Sequence, residues 1–186
     1  MKKICCIAEG YGDVDALPSL IAKTGAIEDR IIISPEPIRA GEWPKVKRAG
    51  VLERLLDLAS SRNWDHILMV LDLDDGCPVE EHAHAMERVN TWLNGRDILV
   101  SVVFLNREYE TLFLQEPSCL GDVETQMIPN DPTTIRGAKG LVKRLIGRRY
   151  KETTDQKEIT ERLDLVSLEI SSRSFRKLKK EILRNS

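Results

Sequence analysis

Apolar and polar residues recur along the chain with two periods, and each change of period marks a structural element. Continuous apolar runs typical of buried strands cover residues 4–8, 30–34, 66–73 and 98–105. The helical period of 3.6 occupies the segments after three of these strands, at about 13–23, 46–60 and 79–93. Strands alternating with helices predict an α/β fold with a parallel sheet of about four strands, joined by right-handed crossovers and flanked by helices.

The second part of the chain has a different pattern. A short helix over 107–114 leads into a loop rich in Pro and Asp at about 115–135, and the remainder is helical near 138–147, 155–163 and 174–183. The predicted organisation is a core over 1–115 and a loop and helical extension over 116–186 that packs on it. A chain of 186 residues is long enough for one such domain.

Composition places the chain among ordinary globular proteins, with 41% apolar and 31% charged residues. No apolar run approaches the roughly 20 residues that a membrane span needs. The run at 4–8 is also shorter than the core of about 7–15 residues in a secretory signal. Four cysteines without CxxC spacing argue against a zinc site or a disulfide framework. These features predict a cytoplasmic protein without a membrane association.

Charge is distributed unevenly along the chain. Residues 1–135 carry 13 Lys and Arg against 23 Asp and Glu, whereas residues 136–186 carry 15 against 7. An acidic body followed by a basic section can hold a cation in one part and a polyanion along the other. Solvated helix faces that happen to differ in sign are the simpler explanation of the same pattern.

Carboxylates follow three of the predicted strands. Glu9 ends the first strand, Asp72 and Asp74 end the third, and Glu108 and Glu110 follow the fourth. The carboxyl ends of parallel strands meet at one edge, so these side chains are expected there together. Asp72 and Asp74 have the spacing of residues that project from the same face of a strand. Converging carboxylates repel unless a proton or a cation joins them, and oxygen ligands without His or Cys favour Mg²⁺ or Mn²⁺.

Two further acids have simpler expected roles. Asp13 precedes a helical pattern and is predicted to be its N-cap, while Asp75 precedes Gly76 and suits a turn. Glu9 has neither role, because it lies between a strand and Gly10. Glu9 therefore carries more of the functional signal than Asp13 or Asp75.

The motifs around these acids resemble those of a known family. The stretch EGYGDV at 9–14 looks like the first motif of Toprim domains, notably the EGYxDV of bacterial primases, and DLD at 72–74 looks like the second. The chain also resembles a Toprim-like bacterial family of unknown function, related to the Toprim half of the OLD (overcoming lysogenization defect) nucleases. That likeness rests on the stretches NREYETLFL (106–114), RGAKGLVKRL (136–145), YKETTDQKEIT (150–160) and SRSFRKL (172–178).

The resemblance implies a Toprim-like fold and a two-metal phosphodiesterase or nuclease that uses Mg²⁺ or Mn²⁺. In such enzymes the glutamate of the first motif, here Glu9, is a general acid or base and sometimes a metal ligand. The acids of the second motif, here Asp72 and Asp74, hold the metal. Paired divalent ions clamp the attacking and leaving oxygens of a phosphodiester.

The OLD-type nucleases add a second set of residues to this expectation. By position, Glu108 and Glu110 match an acid pair that helps to hold a second metal, and Lys139 matches a catalytic lysine near the scissile phosphate. An OLD nuclease also carries an ATPase domain, whereas this chain has no GxxxxGK[ST] motif. Any requirement for ATP hydrolysis, in phage defence or DNA repair, therefore implies a separate ATPase partner.

Basic residues suggest where nucleic acid would lie. A surface that follows a phosphate backbone needs clustered Lys and Arg, and DNA is the expected partner. The residues predicted to form this surface are Arg107, Arg136, Lys143, Arg144, Arg148, Arg149 and Lys151.

Two other functions fit parts of the sequence. A Toprim-like subunit without catalytic activity, or one activated by a partner, could regulate an ATPase. The stretch LMVLDLDDG could instead be the nucleophile loop of a haloacid-dehalogenase-like phosphatase, with Asp72 as nucleophile. The sequence leaves a homo-oligomer open.

Overall fold

A five-stranded parallel sheet is the centre of the computed structural model, which describes residues 2–25 and 31–184. The strands are β1 (Lys2–Ala8), β2 (Ile31–Ile33), β3 (Ile38–Arg39), β4 (His66–Leu73) and β5 (Leu99–Asn106). Their order is β2-β1-β4-β5, with β3 also paired to β1, and every pairing is parallel. The prediction of an α/β protein with a parallel sheet is confirmed, and the architecture is Rossmann-like.

The register brings the carboxyl ends of the central strands to one edge. Ala8 of β1 pairs with Val70 of β4, and Leu73 at the end of β4 pairs with Asn106 at the end of β5. The residues that follow these three strands therefore start from the same side of the sheet, as expected for a parallel arrangement.

Helices cover both faces of the sheet. They are α1 (Tyr11–Gly25), α2 (Trp43–Val46), α3 (Val51–Ser60), α4 (Pro78–Leu93), α5 (Thr111–Gln115), α6 (Ala138–Leu145), α7 (Lys157–Arg162), α8 (Leu165–Ser171) and α9 (Arg173–Ile182). One turn of π-helix, Glu152–Gln156, leads into α7. Among the described residues, no helix combines the length and the apolar content needed to cross a bilayer.

Two apolar clusters, one on each face, hold the layers together. Cys5 packs with α2, α3 and α4, while its neighbour Cys6 packs with α1 and α5–α9, because successive side chains of a strand point to opposite faces. Leu141 of α6 and Phe175 of α9 are buried in the same cluster as Ile4 of β1. The C-terminal section thus completes the core on one face of the sheet.

Several predicted bounds were wrong. The helix predicted over 46–60 begins only at Val51, as α3, because α2 ends at Val46 and Gly50, just before α3, has a φ of +74° that suits glycine. The strand β3, which the sequence pattern does not predict, continues the β1 edge beyond β2 and raises the strand number to five. The helix α8 was not predicted. Arg30, the predicted start of the second strand, lies outside the described residues.

The start of α1 also differs from expectation. The helix begins at Tyr11, so Asp13 lies inside its first turn and is not the N-cap. Its Oδ2 accepts a hydrogen bond of 2.7 Å from the backbone N–H of Gly10. Asp13 therefore satisfies the helix end from within, as an acid in the third helical position does in a capping box.

Candidate acidic site at the carboxyl edge of the sheet

A hydrogen bond joins the two acidic motifs. Glu9 follows β1 directly, and its Oε2 accepts from the backbone N–H of Asp72, at 3.1 Å. Burial raises the pKa of Glu9 to about 7, against the effect of this hydrogen bond and with repulsion from Asp13 and Asp74 added. A glutamate with this pKa exchanges a proton with water near neutral pH.

Asp72 lies near the end of β4, on the face that α1 covers. Burial holds the pKa of its carboxyl well above the usual range, and the negative charges of Asp13, Glu9 and Glu110 raise the pKa further. The charges of three other acids therefore act on Asp72. Glu9 follows β1, Asp13 lies in the first turn of α1, and Glu110 directly precedes α5.

Asp13 belongs to this group, although sequence reasoning assigned it only to the helix end. Besides the bond from Gly10, its Oδ1 accepts from Nε2 of Gln156 at 2.5 Å. Burial raises the pKa of Asp13, while these two hydrogen bonds lower it and Glu152 raises it again. The signal that could have found Asp13 is its place inside the EGYGDV motif.

Glu110 is the most deeply buried acid of the group, with 3% of its surface exposed. Burial raises its pKa to about 7, although the positive charge of Lys139 and a hydrogen bond from Tyr150 both oppose the shift. The Tyr150 hydroxyl donates to Oε1 at 3.0 Å. Sequence reasoning gave no role to Tyr150, whose only signal was its place in the 150–160 stretch.

Glu108 makes different contacts from the other acids. Its two carboxylate oxygens accept from the backbone N–H groups of Gly137 and Lys139, at 2.9 and 3.0 Å. These are the free N–H groups at the start of α6, so Glu108 caps that helix from another part of the chain. The structure gives it a defined structural role at the position where the resemblance implies a metal ligand.

Lys139 is the cation that acts on this cluster. Its Nζ lies 2.9 Å from Oε1 of Glu152. Desolvation lowers the pKa of Lys139, but the hydrogen bond to Glu152 and the charges of Glu110 and Glu108 outweigh it and leave the pKa raised. Its ammonium group therefore stays charged beside the acids.

Asp74 lies just beyond the end of β4, so it does not follow Asp72 on one face of a strand as the sequence predicted. The strand β4 ends at Leu73, where a bridge to Arg107 closes the edge. Asp74 is exposed, and its carbonyl oxygen accepts a hydrogen bond from the Arg107 guanidinium. It still lies near enough to Glu9 to raise that residue's pKa.

The acids do not form a ready-made ligand sphere. Within residues 2–25 and 31–184, no three side chains of Asp, Glu, His or Cys converge closely enough to hold a metal ion. Each buried acid instead accepts a hydrogen bond or repels its neighbours, as crowded carboxylates do. The donor chemistry fits a hard divalent cation, because every candidate ligand is a carboxylate.

The predicted basic residues form two separate groups. Lys143, Arg144 and Arg148 line an open depression of about 590 Å³ together with Gly140 and Gly147. Arg149 and Lys151 are exposed close to it in the chain, whereas Arg107 and Arg136 line another cleft.

Arg148 differs from its two neighbours in the depression. Its guanidinium makes an ion pair of 2.9 Å with Asp155, a mostly buried acid. Arg148 therefore fixes the chain around the π-helical turn as well as contributing charge to the surface.

The carboxyl edge thus brings together Glu9, Asp13, Asp72 and Glu110, with Lys139 as the nearby cation. No family model, no curated protein and no solved structure matches the chain. What the protein does is inferred from its own side chains and from the motifs at 9–14 and 72–74.

Proposed function

We propose that this protein is a Mg²⁺- or Mn²⁺-dependent phosphodiester hydrolase with a Toprim-like site, acting on nucleic acid. The observation that carries the proposal is the gathering of Glu9, Asp13, Asp72 and Glu110 at the carboxyl edge, where the Glu9 carboxylate accepts a hydrogen bond from the Asp72 N–H. Their burial and repulsion raise the pKa values of all four carboxyls, with Lys139 as the opposing cation at two of them. Crowded carboxylates of this kind have an excess of negative charge that divalent cations relieve.

Metal ions bound at such a site would polarise a phosphoryl oxygen and lower the pKa of a bound water. In the proposal, Asp72 and Asp74 hold the first ion, while Glu110 and Glu108 hold the second. Glu108 would keep its contacts with the start of α6, because a carboxylate has lone pairs beyond the two that those N–H groups use.

Glu9 is the proposed proton acceptor. With a pKa of about 7 it is partly ionised at neutral pH, so it can take a proton from an attacking water and later return it. The N–H of Asp72 holds one of its oxygens and fixes the direction of the other. Glu9 would also serve as a metal ligand when it is ionised.

Lys139 is proposed to offset the charge that develops on the phosphoryl group. Its raised pKa keeps the ammonium group protonated, and Glu152 holds it on the side of Glu110. A positive group fixed beside a developing oxyanion lowers the barrier more than a mobile one, because it needs no reorganisation during the reaction.

The proposed substrate is DNA, which would bind along the exposed basic depression beside α6. Lys143 and Arg144 project from the surface of this helix, where a phosphate backbone can approach. A separate ATPase partner and a homo-oligomer remain part of the proposal, as the resemblance to OLD-type nucleases implies the first and permits the second.

The test is cleavage of supercoiled plasmid and of single-stranded DNA with Mg²⁺ or Mn²⁺. We expect cutting by the wild type and a loss of about 10²-fold or more in Asp72→Asn and in Glu9→Gln. Asp97→Asn is the matched control, because Asp97 is exposed and precedes β5 at the opposite edge of the sheet.

Two results would count against the hydrolase. Cutting that Asp72→Asn leaves unchanged would point to a contaminating nuclease. No cutting under any of these conditions would favour the regulatory subunit, and the next step would be to measure its effect on ATP hydrolysis by a candidate partner. Release of phosphate from a phosphomonoester, lost in Asp72→Asn, would favour the phosphatase.

A further inference from the structure

Asp75 lies between two guanidinium groups. Its Oδ1 is 3.2 Å from Nη1 of Arg107 and 2.5 Å from Nη2 of Arg136, while its Oδ2 is 3.5 Å from Nη1 of Arg136. Two positive side chains thus share one carboxylate. The acidic motif explains Asp72 and Asp74 but gives Asp75 no role beyond a turn.

Arg107 is held in place by its backbone and by its guanidinium group. Its φ of +74° is rare for a residue with a side chain. Its N–H donates to the carbonyl of Leu73, its Nε to the carbonyl of Thr133, and its Nη1 to the carbonyl of Asp74. The guanidinium therefore stays over the 74–75 loop whether or not Asp75 contacts it.

Arg136 is held far less firmly. Its side chain is 73% exposed, and the hydrogen bonds of its guanidinium within the described chain go to Asp75. An exposed ion pair of this kind adds little stability, so its partners exchange readily with other charged groups. The cleft beside it has a volume of about 270 Å³ and is lined by both arginines, by Gly137 and by three acids, Asp74, Asp75 and Glu108.

We propose that Arg107 and Arg136 form a subsite for a phosphate group of the nucleic acid, and that Asp75 fills this subsite until the phosphate displaces it. Two guanidinium groups converge on the one carboxylate of Asp75, so its displacement frees both of them for another anion. Their planar N–H donors match a phosphate as well as a carboxylate. Gly137, which follows Arg136, is the N-cap of α6, the helix that carries Lys139. A phosphate bound by Arg136 would therefore lie next to the acidic site.

The subsite rests on the proposed function, since its ligand belongs to the proposed substrate. It adds that the protein binds the substrate through a second phosphate group, away from the bond that is cut. It also adds that Asp75 competes with the substrate, the opposite of the effect expected for a metal ligand in the same loop.

The test is the binding of a fluorescein-labelled single-stranded oligodeoxynucleotide, followed by anisotropy in EDTA so that no cleavage occurs. Asp75→Asn is expected to bind about threefold to tenfold more tightly than the wild type, because the competing charge is gone. Asp97→Asn changes the net charge equally at the opposite edge and is expected to have a much smaller effect. Binding by Asp75→Asn no tighter than by Asp97→Asn would overturn the subsite.

The arginine is tested in the same assay. Arg136→Gln is expected to weaken binding by about threefold to tenfold and to lower the slope of log affinity against log salt by about one. Arg54→Gln, on α3 at the other face of the sheet, is the matched control. The double variant Asp75→Asn/Arg136→Gln is expected to lose the gain of Asp75→Asn, and a gain that persists would exclude Arg136 from the subsite.

A version of the oligonucleotide with a 5′-phosphate separates two sources of the ligand. A larger gain for Asp75→Asn with this probe assigns the subsite to a terminal phosphate, and an equal gain assigns it to an internal phosphodiester. The binding assay contains no divalent metal, so its result is independent of the Mg²⁺ cleavage assay. A gain for Asp75→Asn without cutting in the cleavage assay would keep the subsite and refute the hydrolase. Cutting without the gain, or cutting by a protein that does not bind the oligonucleotide in EDTA, would overturn the subsite and keep the hydrolase.

Discussion

The side-chain amide of Gln156 donates a hydrogen bond of 2.5 Å to Asp13, although the two residues are 143 positions apart in the chain. It ties the acidic motif at the end of β1 to the π-helical turn before α7. The C-terminal section therefore forms one side of the proposed site. The position of Asp13 depends on how α1 packs against residues 152–156.

Gly12 makes that packing possible. A Cβ at Gly12 would overlap the Gln156 side chain and lie 3.0 Å from the carbonyl oxygen of Glu152, so the turn would have to move. We expect Gly12→Ala to lower the free energy of unfolding by about 2 kcal/mol or more, measured by urea denaturation. Gly140→Ala is the control, because Gly140 lies in α6 with open space around it and should gain about 0.5 kcal/mol. Equal effects of the two changes would show that α1 does not need the close approach.

The sheet and its acidic edge could be predicted from the sequence because they depend on local patterns. Continuous apolar runs identified β1, β4 and β5, and parallel pairing then placed Glu9 and Asp72 at one edge. The two-residue strand β3 could not be found, because it lies in a stretch with three prolines and its pairing with β1 is tertiary.

The details of the site escaped prediction for a related reason. Nothing near Gln156 or Tyr150 in the chain indicates that either side chain reaches an acid of another element. Asp13 was assigned to the helix end because its spacing fits a local role, and that role is real, but it does not exclude a second one. The sequence predicts only a turn role for Asp75, because the two arginines that pair with it follow much later in the chain.

Stability should depend on pH through the buried acids. Glu110 has a pKa of about 7 in the folded protein, against 4.5 for an unperturbed glutamate, so between these pH values the folded state keeps a proton that the unfolded chain has lost. Stability therefore falls as pH rises from about 4.5 through about 7. We expect thermal unfolding in EDTA to occur at lower temperature at pH 8 than at about pH 5.5. Glu110→Gln should make this dependence weaker.

A divalent cation should reverse that loss. If the acids bind Mg²⁺, it should raise the unfolding temperature more at about pH 8 than at about pH 5.5, where protons compete with it. Na⁺ at matched ionic strength controls for general screening. A Mg²⁺ effect that is equal at both pH values would mean that these carboxyls do not bind the ion.

Lys139 and Glu152 offer a comparison within one ion pair. Lys139→Met and Glu152→Gln both remove an interaction between two half-exposed side chains, so both should cost less than about 1 kcal/mol of stability. Only Lys139→Met removes the proposed phosphoryl-stabilising charge, and we expect it to lower kcat by about 10²-fold with little change in KM. A kcat for Lys139→Met equal to that of the wild type would remove Lys139 from the catalytic step.

Glu108 can be tested for its two proposed roles separately. Glu108→Ala leaves the N–H groups of Gly137 and Lys139 without their acceptor, so we expect a loss of about 1 kcal/mol in urea denaturation with EDTA present. If Glu108 also binds metal, the variant should lose part of the Mg²⁺-induced increase in unfolding temperature. The same Mg²⁺ effect as in the wild type would leave Glu108 as a helix cap alone.

The basic depression contains residues that should behave differently when they are neutralised. Lys143→Gln is expected to weaken DNA binding and to reduce the slope of log affinity against log salt by about one, with little effect on stability. Arg148→Gln should weaken binding similarly, but it also removes the ion pair of the mostly buried Asp155, which keeps a hydrogen bond from the backbone N–H of Lys151. We therefore expect a loss of about 1–3 kcal/mol in urea denaturation for Arg148→Gln alone. DNA affinity unchanged in both variants would mean that the polyanion does not follow this face of α6.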